Sequence, residues 1–240
     1  MPTIDLFGKS AVVTGGARGI GFAIAEALTE CGCSVVLTSR SLESAEAAAN
    51  KLTHHHARAF PTACDVRSED DVRRLFAHIK ANFLHLDFLI NNAGIFGPAV
   101  AIDQVSSDGW RETLDTNLTG TFLCSKCAVP LMRPGSVILN NISVAATHYF
   151  PRSTAYTASK QGQLGLTNAM REDLREKGIR VIALLPGATK TDIWDQFWPE
   201  APREKMMPPK DVANAVLNAL LMPPGTSVDE IRIMPAAGAL

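Results

Sequence analysis

A tyrosine and a lysine four residues apart, Tyr156 and Lys160, are the residues of this chain whose types and spacing point most directly to chemistry. On a helix, residues at i and i+4 share one face. A phenol has an ordinary pKa near ~10, but a cation held beside it favours the phenolate and lowers that pKa. The pair is therefore a candidate for general acid/base catalysis by tyrosine. A partly buried ring beside a solvated amine would have the same spacing, so the rest of the sequence must decide.

A glycine-rich stretch near the N-terminus is the first feature that supports a catalytic role. Residues 10–14 form an apolar run typical of a buried strand, and an alanine-rich helical stretch covers residues 22–30. The turn between them carries Gly15, Gly19 and Gly21, a spacing that differs from the usual G-x-G-x-x-G. A glycine-rich turn between strand and helix brings backbone N–H groups and a helix N-terminus to a pyrophosphate. The stretch therefore predicts a dinucleotide site.

Strands and helices alternate along the whole chain, which predicts an α/β protein with a parallel sheet and helices on both faces. Right-handed crossovers then give seven strands in the order 3-2-1-4-5-6-7. Gly178 is expected to end the Tyr156 helix. The predicted strands are 10–14, 34–39, 57–62, 87–91, 136–142, 180–185 and 230–234; the predicted helices are 22–30, 41–52, 68–82, 109–131, 156–176 and 211–221.

Taken together, the motifs resemble the classical short-chain dehydrogenase/reductase family, NADP-preferring type. They stand in the family's order and at its spacings, and the resemblance covers essentially the whole chain. It implies a single Rossmann-fold domain over residues 1–240 with a short substrate-side segment at about 192–207. The matching motifs are Thr14-Gly15-x-x-x-Gly19-x-Gly21, Asn91-Asn92-Ala93-Gly94, Asn117, Ser143, Tyr156-x-x-x-Lys160 and Pro186-Gly187-Ala188-Thr189-Lys190-Thr191.

The resemblance implies hydride transfer between nicotinamide and a carbonyl or secondary alcohol, with four catalytic residues. Tyr156 would exchange a proton with the substrate oxygen, and Ser143 would donate a hydrogen bond to that oxygen. Lys160 would lower the pKa of Tyr156 and hold the nicotinamide ribose. Asn117 would anchor a water in a proton relay, and Thr191 would hold the carboxamide.

Cofactor choice is predicted at the end of the second strand, where NAD-preferring proteins usually carry a carboxylate. Ser39 stands about there and Arg40 follows, while Arg18 adds a second guanidinium able to bind a phosphate. We therefore expect NADP(H) rather than NAD(H). The expected cofactor residues are Gly15, Arg18, Gly19, Ile20, Gly21, Ser39, Arg40, Asp65, Val66, Asn92, Ala93, Gly94, Tyr156, Lys160, Pro186, Gly187, Thr189 and Thr191.

Substrate identity is predicted only in outline. The segment 192–207 carries three aromatic residues, which either form a lid or pack on the body of the protein. The C-terminal stretch 228–235 resembles the subgroup acting on serine and small 3-hydroxy acids. A 3-oxoacyl-carrier-protein reductase and a catalytically silent NADP-binding sensor are the alternatives. The expected substrate residues are Ala145, His148, Tyr149 and Trp194.

The composition of the chain further limits the functional classes to which the protein could belong. The chain is 46% hydrophobic and 20% charged, and its net charge of -1 gives no electrostatic case for nucleic acid or an anionic membrane. No apolar run approaches the ~20 residues of a membrane span, and no secretory signal is visible, so we expect the cytoplasm. The family resemblance implies a homotetramer, or failing that a homodimer, formed through the Asn117 and Tyr156 helices.

Cysteines and histidines raise one further alternative, a thiol or metal protein. Cys124 and Cys127 have C-x-x-C spacing, but no second ligand pair accompanies them. We interpret Cys124 and Cys127 as buried small hydrophobic residues and predict no metal site. A run of three histidines, His54-His55-His56, is interpreted as a solvated connection.

Overall fold

One parallel sheet of seven strands organises the chain, in a computed structural model that describes residues 5–52, 58–223 and 225–238. The strand order is β3-β2-β1-β4-β5-β6-β7, which confirms the predicted Rossmann-type topology. The histidine run at 54–56 lies outside the described residues. The strands are β1 Ser10–Val13, β2 Ser34–Ser39, β3 Ala59–Ala63, β4 Phe88–Asn91, β5 Val137–Asn141, β6 Arg180–Pro186 and β7 Glu230–Ile233.

The central strands are continuous apolar runs because both of their faces are covered. Every residue of β1 and β4 is buried, and the two strands pair in register with Val12 opposite Leu89. The chain reverses its direction of winding between these neighbours, since β2 lies on the other side of β1. A crevice therefore opens at their carboxyl ends, which is where open α/β sheets bind ligands.

Six of the seven α-helices of the described structure cover the two faces of the sheet. Helices α1, α2 and α7 bury an apolar cluster on one face of the sheet, and helices α3, α5 and α6 bury a second cluster on the other. The helices are α1 Gly19–Glu30, α2 Leu42–Leu52, α3 Glu69–Asn82, α4 Ser107–Leu114, α5 Gly120–Ala128, α6 Thr154–Arg175 and α7 Pro209–Leu220.

Local sequence signals set several helix boundaries. Ser68 caps α3, since its hydroxyl accepts a hydrogen bond from the Asp71 amide at 3.2 Å, as the capping pattern predicts. The Asp71 carboxylate accepts from the Asp65 amide at 3.0 Å, so it also fixes the turn after β3. Gly178, with φ of +65°, follows α6 at the predicted position.

The predicted long helix over 109–131 is present as one uninterrupted helical stretch, but its geometry changes along its length. The stretch consists of α4, a π-helical turn over Asp115–Thr119, α5 and a 3₁₀ turn over Val129–Leu131. The π-helical turn contains Asn117, whose amide is drawn inward by hydrogen bonds to the backbone of Ile95. Hydrophobic periodicity does not report such a distant polar contact, whereas π-helical turns are frequent at functional sites.

The cysteines are free, and Cys124 is completely buried in the cluster beneath α3, α5 and α6. Burial raises the pKa of its thiol and raises that of Cys64 to about 12, which disfavours the nucleophilic thiolate. In the described ranges, no group of three or more His, Cys, Asp or Glu residues could hold a metal ion. No described helix is long and apolar enough to cross a bilayer.

Candidate active site

A cavity of about 880 Å³ opens at the carboxyl edge of the sheet, above the β1–β4 crevice. Its size is at the upper end of the range for small-molecule sites. The cavity brings together most of the residues that the sequence predicts for cofactor and substrate. Those on its wall are Gly15, Arg18, Gly19, Ile20, Ser39, Arg40, Asp65, Val66, Asn92, Ala93, Gly94, Ser143, Ala145, Tyr156, Lys160, Pro186, Gly187, Thr189, Thr191 and Trp194.

The glycine-rich turn after β1 forms one end of the cavity. Gly15 has φ of +61°, a conformation that glycine adopts at no steric cost. The Asn92 amide donates to the carbonyls of Thr14 and Gly15 at 3.0 Å each, which locks the turn against the end of β4. Gly21 is not on the wall but is required by packing, because a Cβ there would lie 2.3 Å from Asn92 Nδ2. Glycine spacing in this turn therefore reflects close backbone packing as well as access for a ligand.

Helix α1 directs its N-terminus into this end of the cavity. Its N-cap residue, Arg18, makes no side-chain capping hydrogen bond to the first turn. The first turn of a helix carries N–H groups with no intrahelical partner and a partial positive charge, so this end suits an anion. The Arg18 guanidinium lies 3.9 Å from the Asp192 carboxylate, and both side chains are exposed.

Polar residues at the ends of β2 and β3 form the neighbouring wall. Ser39 and Arg40 line the cavity together with Asp65. Asp65 pairs with Arg67 at 2.6 Å, and this hydrogen bond, helped by the charge of Arg40, lowers the pKa of the Asp65 carboxyl. Arg67 also lines the cavity, and sequence reasoning missed it because no motif marks that position. This wall therefore carries two guanidinium groups and one ionised carboxylate.

Tyr156, Ser143 and Lys160 meet at the opposite wall. Tyr156 lies in the first turn of α6, Lys160 follows one turn later, and Ser143 follows the end of β5. Burial raises the pKa of the Tyr156 phenol, and a hydrogen bond with the Ser143 hydroxyl opposes that effect. The Lys160 amine lies 5.6 Å from the centre of the tyrosine ring. Tyr156 and Ser143, which are predicted to act on the substrate oxygen, therefore share one side of the cavity with Lys160.

Lys160 is held by two neutral oxygen acceptors. Its Nζ donates to the Asn141 carbonyl at 3.1 Å and to Gln163 Oε1 at 3.0 Å. Only 3% of Lys160 is exposed, and burial lowers the pKa of its amine to about 7. Sequence reasoning did not identify Gln163, although its position three residues after Lys160 on a helix is a usable signal.

Asn117 lies behind Lys160 and outside the cavity wall, with its side-chain amide fully engaged. Its Oδ1 accepts from the Ile95 amide and its Nδ2 donates to the Ile95 carbonyl, both at 2.9 Å. Nδ2 also donates to the Ser159 hydroxyl at 2.9 Å. Gly94 leaves room for this arrangement, since a Cβ there would lie 3.2 Å from Asn117 Oδ1. Asn117 therefore clamps α6 to the segment after β4; its part in a proton relay stays a prediction.

An aromatic stack covers one face of the Tyr156 ring. The Phe96 ring stacks on Tyr156 with ring centres 4.7 Å apart, and Phe197 stacks on Phe96 at 3.7 Å. Trp194 packs against Phe197 at 5.0 Å. The aromatic residues of segment 192–207 therefore cover the cavity, while Phe96, from the segment after β4, is a wall residue that the sequence did not predict.

The segment that carries Trp194 is tied down at its base. Thr189 and Met207 form a parallel bridge, so residues 190–206 leave and rejoin the body at one point. The Trp194 indole donates to the Thr189 carbonyl at 2.8 Å, and Arg203 donates to the Thr191 carbonyl at 2.7 Å. These bonds position Thr191 and the aromatic residues over the same end of the cavity.

Two of the residues predicted to contact substrate lie away from the cavity wall. Tyr149 is 77% exposed, and His148 is exposed with its Nδ1 at 3.1 Å from the Thr147 hydroxyl. The chain turns between these residues and α6, so the wall is formed instead by Phe150, Pro151 and Arg152. Arg152 has φ of +57°, the one non-glycine residue with positive φ in the described ranges.

Comparison with known proteins agrees with this fold. A family model described as short chain dehydrogenase matches residues 9–202. A farnesol dehydrogenase from Aedes aegypti is 35% identical, over 95% of this chain and 96% of that protein. A 3beta-hydroxysteroid dehydrogenase from Mediterraneibacter gnavus is 36% identical, over 78% of this chain and 68% of that protein.

Two solved structures superpose on nearly the whole chain. A short chain dehydrogenase from Burkholderia cenocepacia in complex with NADP has a TM-score of 0.88 and 32% identity, over 97% of this chain and 98% of that one. An alcohol dehydrogenase from Thermococcus sibiricus complexed with 5-hydroxy-NADP has a TM-score of 0.88 and 27% identity, with the same coverage. The fold and site define a nucleotide-binding α/β oxidoreductase. The chain belongs to the short-chain dehydrogenase family.

Proposed function

We propose that the protein is an NADP(H)-dependent oxidoreductase that interconverts a secondary alcohol and a carbonyl, with Tyr156 as general acid/base. The observation that carries the proposal is the shared cavity: Tyr156, Ser143 and Lys160 on one wall, and the glycine-rich turn with its guanidinium groups on the other. The NADP and 5-hydroxy-NADP complexes of two similar structures support the cofactor.

The residues on the wall fit a phosphorylated dinucleotide. The N-terminus of α1 offers free backbone N–H groups for a pyrophosphate. Arg18 and Arg40 offer guanidinium groups for a further phosphate, and Ser39 replaces the carboxylate that would repel it. Lys160 and Thr191 would hold the nicotinamide end. When bound, the cofactor supplies or accepts the hydride.

Side chains of the protein would then transfer the proton to or from the substrate oxygen. In the direction of reduction, Tyr156 gives its proton to the substrate oxygen as charge develops there, and Ser143 donates a hydrogen bond to the same oxygen. In oxidation, Tyr156 as phenolate takes the proton of the alcohol. A protonated Lys160 favours that phenolate, against the burial that raises the pKa of Tyr156.

The wall next to Tyr156 favours an apolar substrate body. Phe197 and Trp194, with Phe96 stacked between Phe197 and Tyr156, give this wall aromatic ring surface, which gains most from contact with hydrocarbon or flat ring systems. The curated names of two relatives, a farnesol dehydrogenase and a 3beta-hydroxysteroid dehydrogenase, are consistent with such a substrate. A small 3-hydroxy acid is the second candidate, because Arg152 on the cavity wall offers a cation for a carboxylate. Location in the cytoplasm and a homotetramer stay predictions.

The test is turnover followed at the absorbance band of reduced nicotinamide. Purified protein is given NADP or NAD with apolar secondary alcohols and, separately, with 3-hydroxy acids. We expect NADP-dependent oxidation of the apolar alcohols. Preference for the hydroxy acids would select the second candidate. NADPH binding without turnover of any alcohol or matching carbonyl would indicate a silent sensor and contradict the proposal.

Cofactor choice is tested with Arg40→Ala. Loss of a charge-assisted hydrogen bond costs roughly 1.5–3 kcal/mol, so kcat/KM for NADP should fall by about 10- to 100-fold. The kcat/KM for NAD, which lacks the ribose 2′-phosphate of NADP, should change little. Arg73→Ala, at an exposed position on helix α3, is the matched control and should leave kcat/KM for both cofactors unaffected. An equal loss of kcat/KM for NAD and NADP would show that Arg40 does not bind the additional phosphate of NADP.

A further inference from the structure

Lys160 has one side-chain acceptor, Gln163, which the proposed chemistry does not use. Gln163 is completely buried, and its Oε1 accepts from Lys160 Nζ at 3.0 Å. The second acceptor is the backbone carbonyl of Asn141 at 3.1 Å. No carboxylate of the described residues lies within ion-pair distance of Lys160. The buried ammonium is therefore stabilised by two neutral oxygens.

The orientation of the Gln163 amide is fixed by its other partner. Gln163 Nε2 donates to the Thr121 hydroxyl at 2.8 Å. Thr121 uses its own proton in a hydrogen bond to the Asn117 carbonyl at 2.9 Å, so toward Gln163 it acts as an acceptor. The amide nitrogen must therefore face Thr121 and the amide oxygen must face Lys160. A flipped amide would place N–H groups against the ammonium.

An acceptor at this position favours the charged form of lysine, because an ammonium is a stronger donor than an amine. Burial lowers the pKa of Lys160 to about 7, so a modest change in its hydrogen bonding shifts the balance between charged and neutral lysine near neutral pH. Tyr156 is the titratable group that faces it, with its ring centre 5.6 Å from Nζ. The groups presented by the segment after β4, by β5 and by α5 are Gly94, the Asn141 carbonyl and Thr121, which carry no charge.

We propose that Gln163 is a positioning residue that keeps Lys160 protonated and held beside Tyr156. Through Lys160 it sets the pH range in which the tyrosine works as a base. The link to turnover rests on the proposed function, whereas the effect on Lys160 does not.

The direct test measures the Lys160 pKa by NMR in protein labelled with ¹³C-lysine, with the resonance assigned by its absence in Lys160→Met. Gln163→Met keeps the length of the side chain but removes the acceptor, and should lower the Lys160 pKa by about one to two units. Gln163→Glu places a carboxylate at the same point and should raise it. Gln161→Met, an exposed neighbour on α6, is the control and should leave it unchanged.

Kinetics provide the second readout. In alcohol oxidation, the rising limb of the kcat–pH profile should move to higher pH in Gln163→Met, with about a 10-fold loss of kcat near neutral pH. An unchanged Lys160 pKa in Gln163→Met overturns the inference, whatever happens to stability. If that variant does not fold, an unchanged or lowered Lys160 pKa in Gln163→Glu overturns it instead. A wild-type protein without turnover removes the proposed function but leaves the NMR result to decide this inference.

Discussion

Burial sets the electrostatics of the two reactive side chains. It raises the pKa of Tyr156 and lowers that of Lys160 to about 7, because each charged form loses water. The i, i+4 spacing correctly predicted that the pair shares one helix face, but burial is a tertiary property that spacing does not encode. The acceptors of Lys160 come partly from β5, so that part of the site could not be predicted locally.

The depressed pKa of Lys160 predicts a pH-dependent contribution to stability. Unfolded lysine titrates near ~10.4, so between about pH 7 and pH 10 the unfolded chain binds more protons than the folded one. The free energy of unfolding of wild type should therefore rise with pH relative to Lys160→Met, by up to about 1.4 kcal/mol per pH unit. Urea denaturation at about pH 7, 8 and 9 measures this.

Lys51→Met, which removes an exposed lysine on α2, is the control for that series. The difference in the free energy of unfolding between Lys51→Met and wild type should stay nearly constant across the same pH range. The free energy of unfolding of wild type, relative to Lys160→Met, could instead stay flat or fall as the pH rises. That result would mean that the pKa of Lys160 is not lowered in the folded protein.

At the scale of elements, the strands and most helices could be predicted, because capping residues and hydrophobic runs act locally. The π-helical turn at Asn117 and the aromatic stack at Phe96 could not be predicted. Both depend on contacts between segments far apart in sequence. His148 and Tyr149 were expected at the cavity, but they are exposed and Phe150, Pro151 and Arg152 line it instead.

Because Asn117 clamps α6 to the segment after β4, we expect a large loss of stability when its side chain is truncated. Asn117→Ala would leave the Ile95 amide and carbonyl and the Ser159 hydroxyl without this partner in a buried site. Each unsatisfied group costs about 1–3 kcal/mol, so we expect roughly 3 kcal/mol or more of lost stability by urea denaturation. Asp115→Ala, exposed on the same π-helical turn, should cost about 0.5 kcal/mol or less. Equal losses in the two variants would rule out the clamp.

At the scale of the whole molecule, the sheet order could be predicted because right-handed crossovers leave few arrangements for seven alternating strands. The sheet order does not predict the oligomeric state, because association between copies of the chain depends on exposed side chains. Phe122 on α5 is 46% exposed, and Gly165 on α6 has open space where a side chain would be. Exposed aromatic and small residues on these two helices suit close approach by another copy of the chain.

The homotetramer prediction gives a measurable mass. Light scattering at micromolar concentration should report four times the 25.8 kDa of one chain. Phe122→Asp should shift the protein to smaller species, because a charge would be buried at the expected contact. Leu84→Asp, at a 95% exposed site after α3, is the control and should not change the mass. A wild-type mass of about one chain would contradict the prediction.

The measurement that tests the central claim most directly compares the two tyrosines of the chain. Tyr156→Phe should lower kcat by about 10²- to 10⁴-fold while the Kd for NADPH stays within a few-fold of wild type, because only the acid/base hydroxyl is removed. Tyr149→Phe, at an exposed position off the cavity wall, should leave both unchanged. Full turnover in Tyr156→Phe, or equal losses in both variants, would contradict general acid/base catalysis by Tyr156.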